Sequence, residues 1–339
     1  MKKILHIVSV LAIAAAPVFA QKVTKVGTTA ANILQVGAGA RAVSMGSAFV
    51  AVADDITSMY WNPAGIARLS RAEAVFSHTR WIADISYQYA GVAVPLSNFG
   101  TIGVQATFMT MDDMERTTIA QPEGTGEFFS AGSYAVGVSY AKPLTDRFSI
   151  GFNAKYVNER IYHSSAQGVA FDVGTLFRTQ LNGMVLGMSI SNYGTKMSLS
   201  GRDMLVQSDI DPMVKGNNPN LNSYLETGSY DMPLLFRVGL SMDVLNGMRN
   251  NRLIVAVDAL HPNNDTESMN VGFEYGLMNT LFLRGGYKTL LNSDSQEGWS
   301  LGGGLQYGLT TSARLKLDYC YQDFEFLNDI QMFSLMLSF

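Results

Sequence analysis

The chain has 339 residues with 28 acidic and 24 basic side chains, a formal charge of −4 that argues against a nucleic-acid partner. Charged residues make up 15% of it, well below the roughly 25% of soluble domains, while 32 Gly, 15 Tyr and 18 Phe suit strands, turns and aromatic girdles better than helices. A single cysteine, Cys320, excludes an internal disulfide.

Lys2 and Lys3 open the chain as a positive stretch, and residues 4–16 are almost continuously apolar. Val18, Phe19 and Ala20 then offer a cleavage site with Gln21 as the next residue, so 1–20 reads as a secretory signal. The alternative, a membrane anchor, needs about 20 apolar residues, and this run falls short. No later stretch reaches that length, because Gly and charges interrupt each one.

Residues 21–70 do not alternate. They carry GAGARAVSMG at 37–46, SAFVAVADD at 47–55 and ITSMYWNPAG at 56–65. The carboxylate of Asp55 is placed to cap a short helix, which Pro63 and Gly65 would end in a turn. This small-residue-rich segment is expected to sit inside a barrel as a plug; its apolar content disfavours a disordered leader. Gly37, Gly39 and Ala42 loosely match a dinucleotide fingerprint, but the strand and βαβ unit that such a motif requires are not evident. Asp54 and Asp55 are adjacent and lack a further ligand cluster, so a capping or plug-to-wall contact is expected rather than acid–base or metal chemistry.

From residue 71 onward fourteen alternating segments follow: 72–82, 85–96, 100–109, 133–144, 148–158, 167–178, 184–193, 232–245, 251–261, 268–276, 280–289, 298–309, 313–323 and 330–339. Most approach the 9–11 residues of a tilted membrane-crossing strand. In one, Leu234, Phe236, Val238, Leu240, Met242 and Val244 share a face opposite Arg237, Gly239, Ser241 and Asp243. A soluble sandwich also alternates, but the connections discriminate. The even ones are tight (97–99, 145–147, 179–183, 246–250, 277–279, 310–312), whereas the odd ones are mostly longer (110–132, 159–166, 194–231, 262–267, 290–297, 324–329), with 83–84 the exception. Short turns on one rim and longer loops on the other mark an outer-membrane barrel, with the short side periplasmic. The predicted fold is therefore all-β: a 14-stranded antiparallel transmembrane barrel over 71–339, with 21–70 as its plug.

Lys155, Asp172, Arg237, Asp243, Asp258, Glu274, Arg284, Lys316 and Asp318 all oppose apolar faces. A midplane Arg or Lys on lipid costs about 2–4 kcal/mol, so most of these groups should face the lumen. There they either pair to fill and rigidify it or line a charge-selective path. Glu274 and Arg284 share a face if the turn between their strands has three residues, and do not if it has two.

The two largest loops hold candidate binding residues: Met111, Met114, Phe128 and Phe129 in the first, Met204 and Met213 in the second. Methionine suits adaptable apolar surfaces, so these loops read as a hydrophobe-capturing rim, a docking surface for protein cargo, or a lid over the barrel mouth. His78, His163 and His261 lack metal-ligand spacing, and Cys320 has no redox partner motif. No enzyme activity, cofactor or metal is expected. The last strand places Phe333, Leu335, Leu337 and Phe339 on one face, and its terminal Phe339 resembles the signal by which Gram-negative bacteria hand barrels to their assembly machinery.

The stretch from Gly39 to Asp55, including Arg41, Met45, Gly46 and Asp54, followed by Trp61, Asn62, Pro63, Ala64 and Gly65, resembles the N-terminal signature of the PorV/PorQ family within the FadL superfamily. Asn62, Pro63 and Ala64 resemble part of the FadL hatch. The resemblance covers about thirty residues and implies a plugged fourteen-stranded barrel in the outer membrane of a Gram-negative bacterium. PorV/PorQ members imply a component of type IX secretion that docks exported proteins or translocon subunits. FadL members imply a passive channel for long-chain fatty acids or other hydrophobic compounds. The secretion reading is the first expectation and the channel the alternative; outer-membrane lipid surrounds the barrel in either case.

Overall fold

The computed structural model describes residues 25–339, apart from 212, 215, 217, 219, 246–249, 293–294 and 328. The expected signal at 1–20 lies outside the described residues. Fourteen antiparallel strands close into a barrel: β1 Glu73–Arg80, β2 Ser86–Pro95, β3 Thr101–Thr110, β4 Ala131–Thr145, β5 Phe148–Ile161, β6 Ser164–Arg178, β7 Val185–Gly194, β8 Leu235–Asp243, β9 Asn251–Pro262, β10 Ser268–Leu277, β11 Leu281–Leu290, β12 Trp299–Gly308, β13 Arg314–Gln322 and β14 Ile330–Ser338. Each strand pairs with its sequence neighbours, and β1 closes the ring on β14 with Phe76 opposite Leu335 and Glu73 opposite Ser338. Closure leaves no unpaired sheet edge, the condition for a sheet to lie in hydrocarbon.

The alternation sorts the two faces as expected. Outward positions such as Phe76, Val104, Val138, Phe171, Ile190, Leu240, Phe273, Leu301 and Leu335 are apolar and exposed. Inward positions such as Ser77, Gln105, Ser139, Asp172, Ser189, Arg237, Asp258, Glu274 and Asp318 are polar and buried. Phe339 falls on the outward face, its N–H donating to the carbonyl of Ala72 at 2.9 Å.

One connection differs from expectation. Residues 159–161 and 164–166 continue as paired strand, so β5 and β6 meet in a tight turn at 162–163 rather than across a longer loop. Strands β4, β5 and β6 consequently run 15, 14 and 15 residues, longer than a bilayer crossing needs. The extension keeps Glu159, Arg160 and Ser165 in the ladder, where the apolar alternation that marks a membrane strand has already ceased. The large connection after β7 reaches back to this raised wall: Ser200 and Gly201 pair with Ser165 and Ser164.

The segment before β1 is compact and buried. A 3-10 turn spans Asn32–Gln35, helix α1 Ala40–Ser44, helix α2 Ser58–Trp61, and a 3-10 helix Pro63–Arg68. Asp55 Oδ1 accepts the Thr57 N–H at 2.9 Å just ahead of α2, close to the expected cap. Asn62, rather than Pro63, breaks the helix: it is extended, and its Oδ1 accepts the Ala64 N–H at 3.2 Å. Pro63 then opens the 3-10 helix, where its missing N–H costs nothing.

Candidate functional site

The segment meets the inward face of strands all round the ring. Its closest approaches are at glycines that the alternating pattern places inward. A Cβ on Gly272 or Gly286 would collide with the backbone of Met45 and Gly46, one on Gly151 with Pro63, one on Gly187 with Val50. Gly46 itself has φ 62° and lies against the backbone of Tyr287 and Val271, so a side chain there is excluded twice over.

On the arc from β9 to β13 the interface is ionic. Arg41, on α1, is buried and donates to Glu274 through Nε at 2.7 Å and Nη2 at 3.0 Å. Its Nη1 meets Asp54 at 2.5 Å and Asp55 at 2.7 Å. Glu274 also accepts from Arg252 at 2.5 Å and from Arg284 at 2.6 Å, and Arg284 continues to Asp318 at 2.6 Å. Burial disfavours the Arg41 charge, yet Asp54, Glu274 and Asp55 outweigh it and hold the guanidinium above its ordinary range. Burial likewise pushes the Asp54 carboxyl up, but Arg41, then Arg252 and Arg68, bring it down to about 2. Neighbouring hydrogen bonds complete this side: Ser334 Oγ accepts the Ala40 N–H at 2.8 Å and Ser300 Oγ the Gly46 N–H at 3.0 Å.

From β6 to β8, and at Asp258 of β9, the contact is polar but not ion-paired. Asp258 Oδ2 accepts the Val50 N–H at 2.9 Å, and Asn62 Nδ2 donates to Val50 and to Thr175 at 2.8 and 3.0 Å. The Arg237 guanidinium lies over the Trp61 ring, 5.2 Å from its centroid, and Trp61 Nε1 donates to Ala38 at 2.8 Å. Higher on this side, Lys155 and Asp172 pair at 2.8 Å beside a bulge at Asn192.

The arc from β14 through β1 to β6 is apolar. Ile33, Leu34, Val36, Met59 and Ile66 of the segment join Val75, Tyr87, Tyr89, Ala93, Ala135, Val157, Ala170 and Met336 of the wall in one buried cluster. The cluster extends to Leu69 at the tight-turn end and to Met197 and Met232, at the two ends of the large connection, at the other. A few polar groups interrupt it: the Tyr87 hydroxyl donates to Val36 at 3.0 Å, Gln105 Nε2 donates to Met59 at 3.1 Å, and the buried Glu73 carboxylate of β1 accepts the Ile56 N–H at 3.0 Å.

Against this geometry, a protein-family model described as "Uncharacterised protein family (UPF0164)" matches residues 6–170, which include the N-terminal segment and the first strands. No curated protein sequence matches the chain. Among solved structures, the CymD monoaromatic hydrocarbon channel is similar with a TM-score of 0.55 and 12% identity, covering 91% of this chain and 98% of that one. A Pseudomonas aeruginosa FadL homologue and the Pseudomonas putida toluene transporter TodX each give 0.53 at 12% identity, covering 89% of this chain and 97% of theirs. At that identity the likeness is one of fold: an outer-membrane-type barrel of the FadL kind. The PorV/PorQ family is not the one the matching model names.

The motif residues read from the sequence largely converge. Arg41, Asp54 and Asp55 form the charged node, Met45 and Gly46 the close approach to β10 and β11, and Trp61, Asn62 and Pro63 the contact with β5 to β8. Gly65 packs under α2, where a Cβ would meet Ser58 and the Ala53 carbonyl. Glu274 and Arg284 pair directly, because the turn at 278–280 has three residues. The wall contact expected of Asp54 and Asp55 is made through Arg41 instead. Asp243 is no lumen partner: at the end of β8 it accepts the Leu245 and Leu253 N–H groups at 3.1 Å and closes the turn. Lys316 is half-buried on the inward face of β13. The loop candidates separate. Met114 and Phe129 pair in a small exposed hairpin with Phe128, next to half-buried Met111, while Met204 is half-buried and Met213 exposed. Arg252 was missed as a member of the node, although it shares strand parity with Asp258.

Proposed function

We propose that the protein is an outer-membrane channel for small hydrophobic compounds, with the described part of its N-terminal segment, residues 25–70, as its plug. The observation that carries this reading is the apolar seam. It runs as one buried cluster, with few polar groups among it, from Met197 and Met232, under the large loop, between plug and wall to Leu69 at the opposite end. An interface needed only to seal the lumen can be polar, as the other half of this one is; a mainly apolar seam offers a hydrophobe a favourable environment along most of its length. In the present state the seam is packed shut, so passage requires its contacts to part while the charged arc holds the plug in place. The fold likeness to structures described as hydrocarbon channels and a toluene transporter supports the same reading without deciding it. The docking role expected first from the family resemblance draws no support from these neighbours, and the channel takes its place.

The test is a reversible lock. Met59 and Gln105 touch across the seam. Cells carrying Met59→Cys with Gln105→Cys, joined by a cleavable bis-thiol linker, should take up toluene at the background rate and recover when the linker is cut. Uptake by the linked protein equal to that of the open one would rule out passage along the seam.

A further inference from the structure

At the closure of the barrel the upper part of the outward face is polar. On β1 the outward series runs Ala74, Phe76, His78 and Arg80. The ladder places Gln88 of β2 opposite His78 and Gln331 of β14 opposite Arg80. Parity keeps both glutamines outward, since Tyr87 and Ser334 on the same strands reach inward to the N-terminal segment. Among the described residues, none of these four polar side chains has a hydrogen-bond or ion-pair partner. The nearby carboxylates do not neutralise Arg80: Asp84 lies on the exposed turn after β1 without an ion pair, and Asp329 is hydrogen-bonded to Tyr321.

An apolar groove of about 580 Å³ adjoins this patch, with His78 at its edge. Its walls are the outward side chains Leu283, Leu305, Leu317, Tyr319 and Phe333. Its floor is Gly303, which stands between Leu283 and Tyr319 in the ladder. A Cβ on Gly303 would meet nothing nearer than the Phe282 carbonyl oxygen at 3.7 Å, so the hollow comes from the missing side chain and opens away from the wall. The carboxylate in the lining, Asp318, turns inward to Arg284 at 2.6 Å. Hydrocarbon fills any apolar groove, and an exposed cation alone selects no lipid. Side by side on one face, they match a molecule with an anionic head and a chain.

We propose that this face holds one lipid of the surrounding membrane in a fixed place: a lipid with a phosphate-monoester head, its phosphate on Arg80 and His78 and one acyl chain in the groove over Gly303. A guanidinium donates two parallel hydrogen bonds to a phosphate, and a histidine ring supplies an N–H in either tautomer. The polar patch lies toward the long-loop rim, extracellular by the loop pattern, so the lipid belongs to the outer leaflet. A second copy of the barrel fits the face less well, because a two-fold contact would bring Arg80 toward Arg80 with no carboxylate between them. The site is a station of the wall and not of the lumen. It is independent of the channel reading, since the sheet separates it from the apolar seam.

The experiment is native mass spectrometry of the full barrel released from phosphatidylcholine vesicles doped with phosphatidic acid. The wild-type barrel should retain one phosphatidic acid in preference to phosphatidylcholine. Arg80→Gln should lower that retention about tenfold, the worth of one charge-assisted hydrogen bond. Gly303→Leu, which fills open space outside the wall, should lower it as well, while heat-modifiable gel migration shows that both variants still fold. Val138→Leu, outward on β4 and away from the groove, should leave retention unchanged. Glycerol phosphate, the head without a chain, should not displace the lipid. Equal retention of the two lipids, displacement by glycerol phosphate, or indifference to both Arg80→Gln and Gly303→Leu would overturn the site. Barrels released in pairs without lipid would overturn it too, and would give the face to a second copy.

Discussion

The two halves of the interface between the N-terminal segment, the proposed plug, and the wall are built on opposite principles. From β9 to β13 the plug is tied by Arg41 to a chain of buried ions, each bonded to at least one other. From β14 to β6 it rests on apolar side chains with few directional bonds. Buried ions tolerate almost no displacement, because a separated charge has no water to replace its partner. Apolar contacts are non-directional, and small shifts exchange one neighbour for another. On the proposed channel reading, the difference says where the segment would yield: the ionic arc would serve as a hinge post, and the apolar arc would be the side along which a gap opens.

The largest effect is expected at Glu274, which serves three guanidinium groups and has no exposed surface. Glu274→Gln leaves Arg41, Arg252 and Arg284 short of a counter-charge, and breaking a buried pair in this way costs about 3–5 kcal/mol. The plug should detach while the ring of strands persists. Limited proteolysis would then cut within 25–70 in the variant and not in the wild type. A variant with an intact plug and unchanged denaturant midpoint would show that the ionic arc is not the anchor.

A smaller effect, of different kind, is expected on the other arc. Met59 is fully buried between Gly91 and Gly103. Met59→Ala should cost about 2–5 kcal/mol through the cavity it leaves, yet the ionic node is untouched, so the plug stays resistant to protease. Toluene uptake should rise because the seam has been thinned. If Met59→Ala instead frees the plug as Glu274→Gln does, the two arcs are not distinct in role and the comparison fails.

Much of this architecture is legible in the sequence. Period-two alternation located all fourteen strands, since an inward Arg237 or Glu274 can face only a lumen. The loop lengths separated a tight-turn rim from a long-loop rim, with the β5–β6 turn as the exception, and the pairing of Glu274 with Arg284 turned on a single turn length. The partner of Arg41 was not legible. Glu274 lies 233 positions away, and no local pattern encodes which wall position a plug residue reaches. Arg252 carried a usable signal, its parity with Asp258, but at a strand end a long cation reads equally well as solvent-facing. The raised wall of β4 to β6 was hidden for a related reason: above the membrane the outward face no longer needs to be apolar, so the pattern fades while the hydrogen-bonded ladder continues.

The finest test lies on β14, where the two arcs meet. Ser334 Oγ accepts the N–H of Ala40, at the start of α1, and shares a 2.7 Å hydrogen bond with Ser77 Oγ of β1. It is thus bonded at once to the plug and to the neighbouring strand at the closure of the barrel. Ser334→Ala removes both bonds and strands the buried Ala40 N–H, a loss of about 1–3 kcal/mol. Since α1 carries Arg41, a hinge post that depends on the orientation of α1 should loosen measurably. Amide exchange at 40–46 should quicken while exchange along β1 and β14, held by their own ladder, changes little. If exchange quickens instead along β1 and β14, Ser334 serves the barrel closure and not the plug, and the boundary of the ionic arc must be drawn at β13.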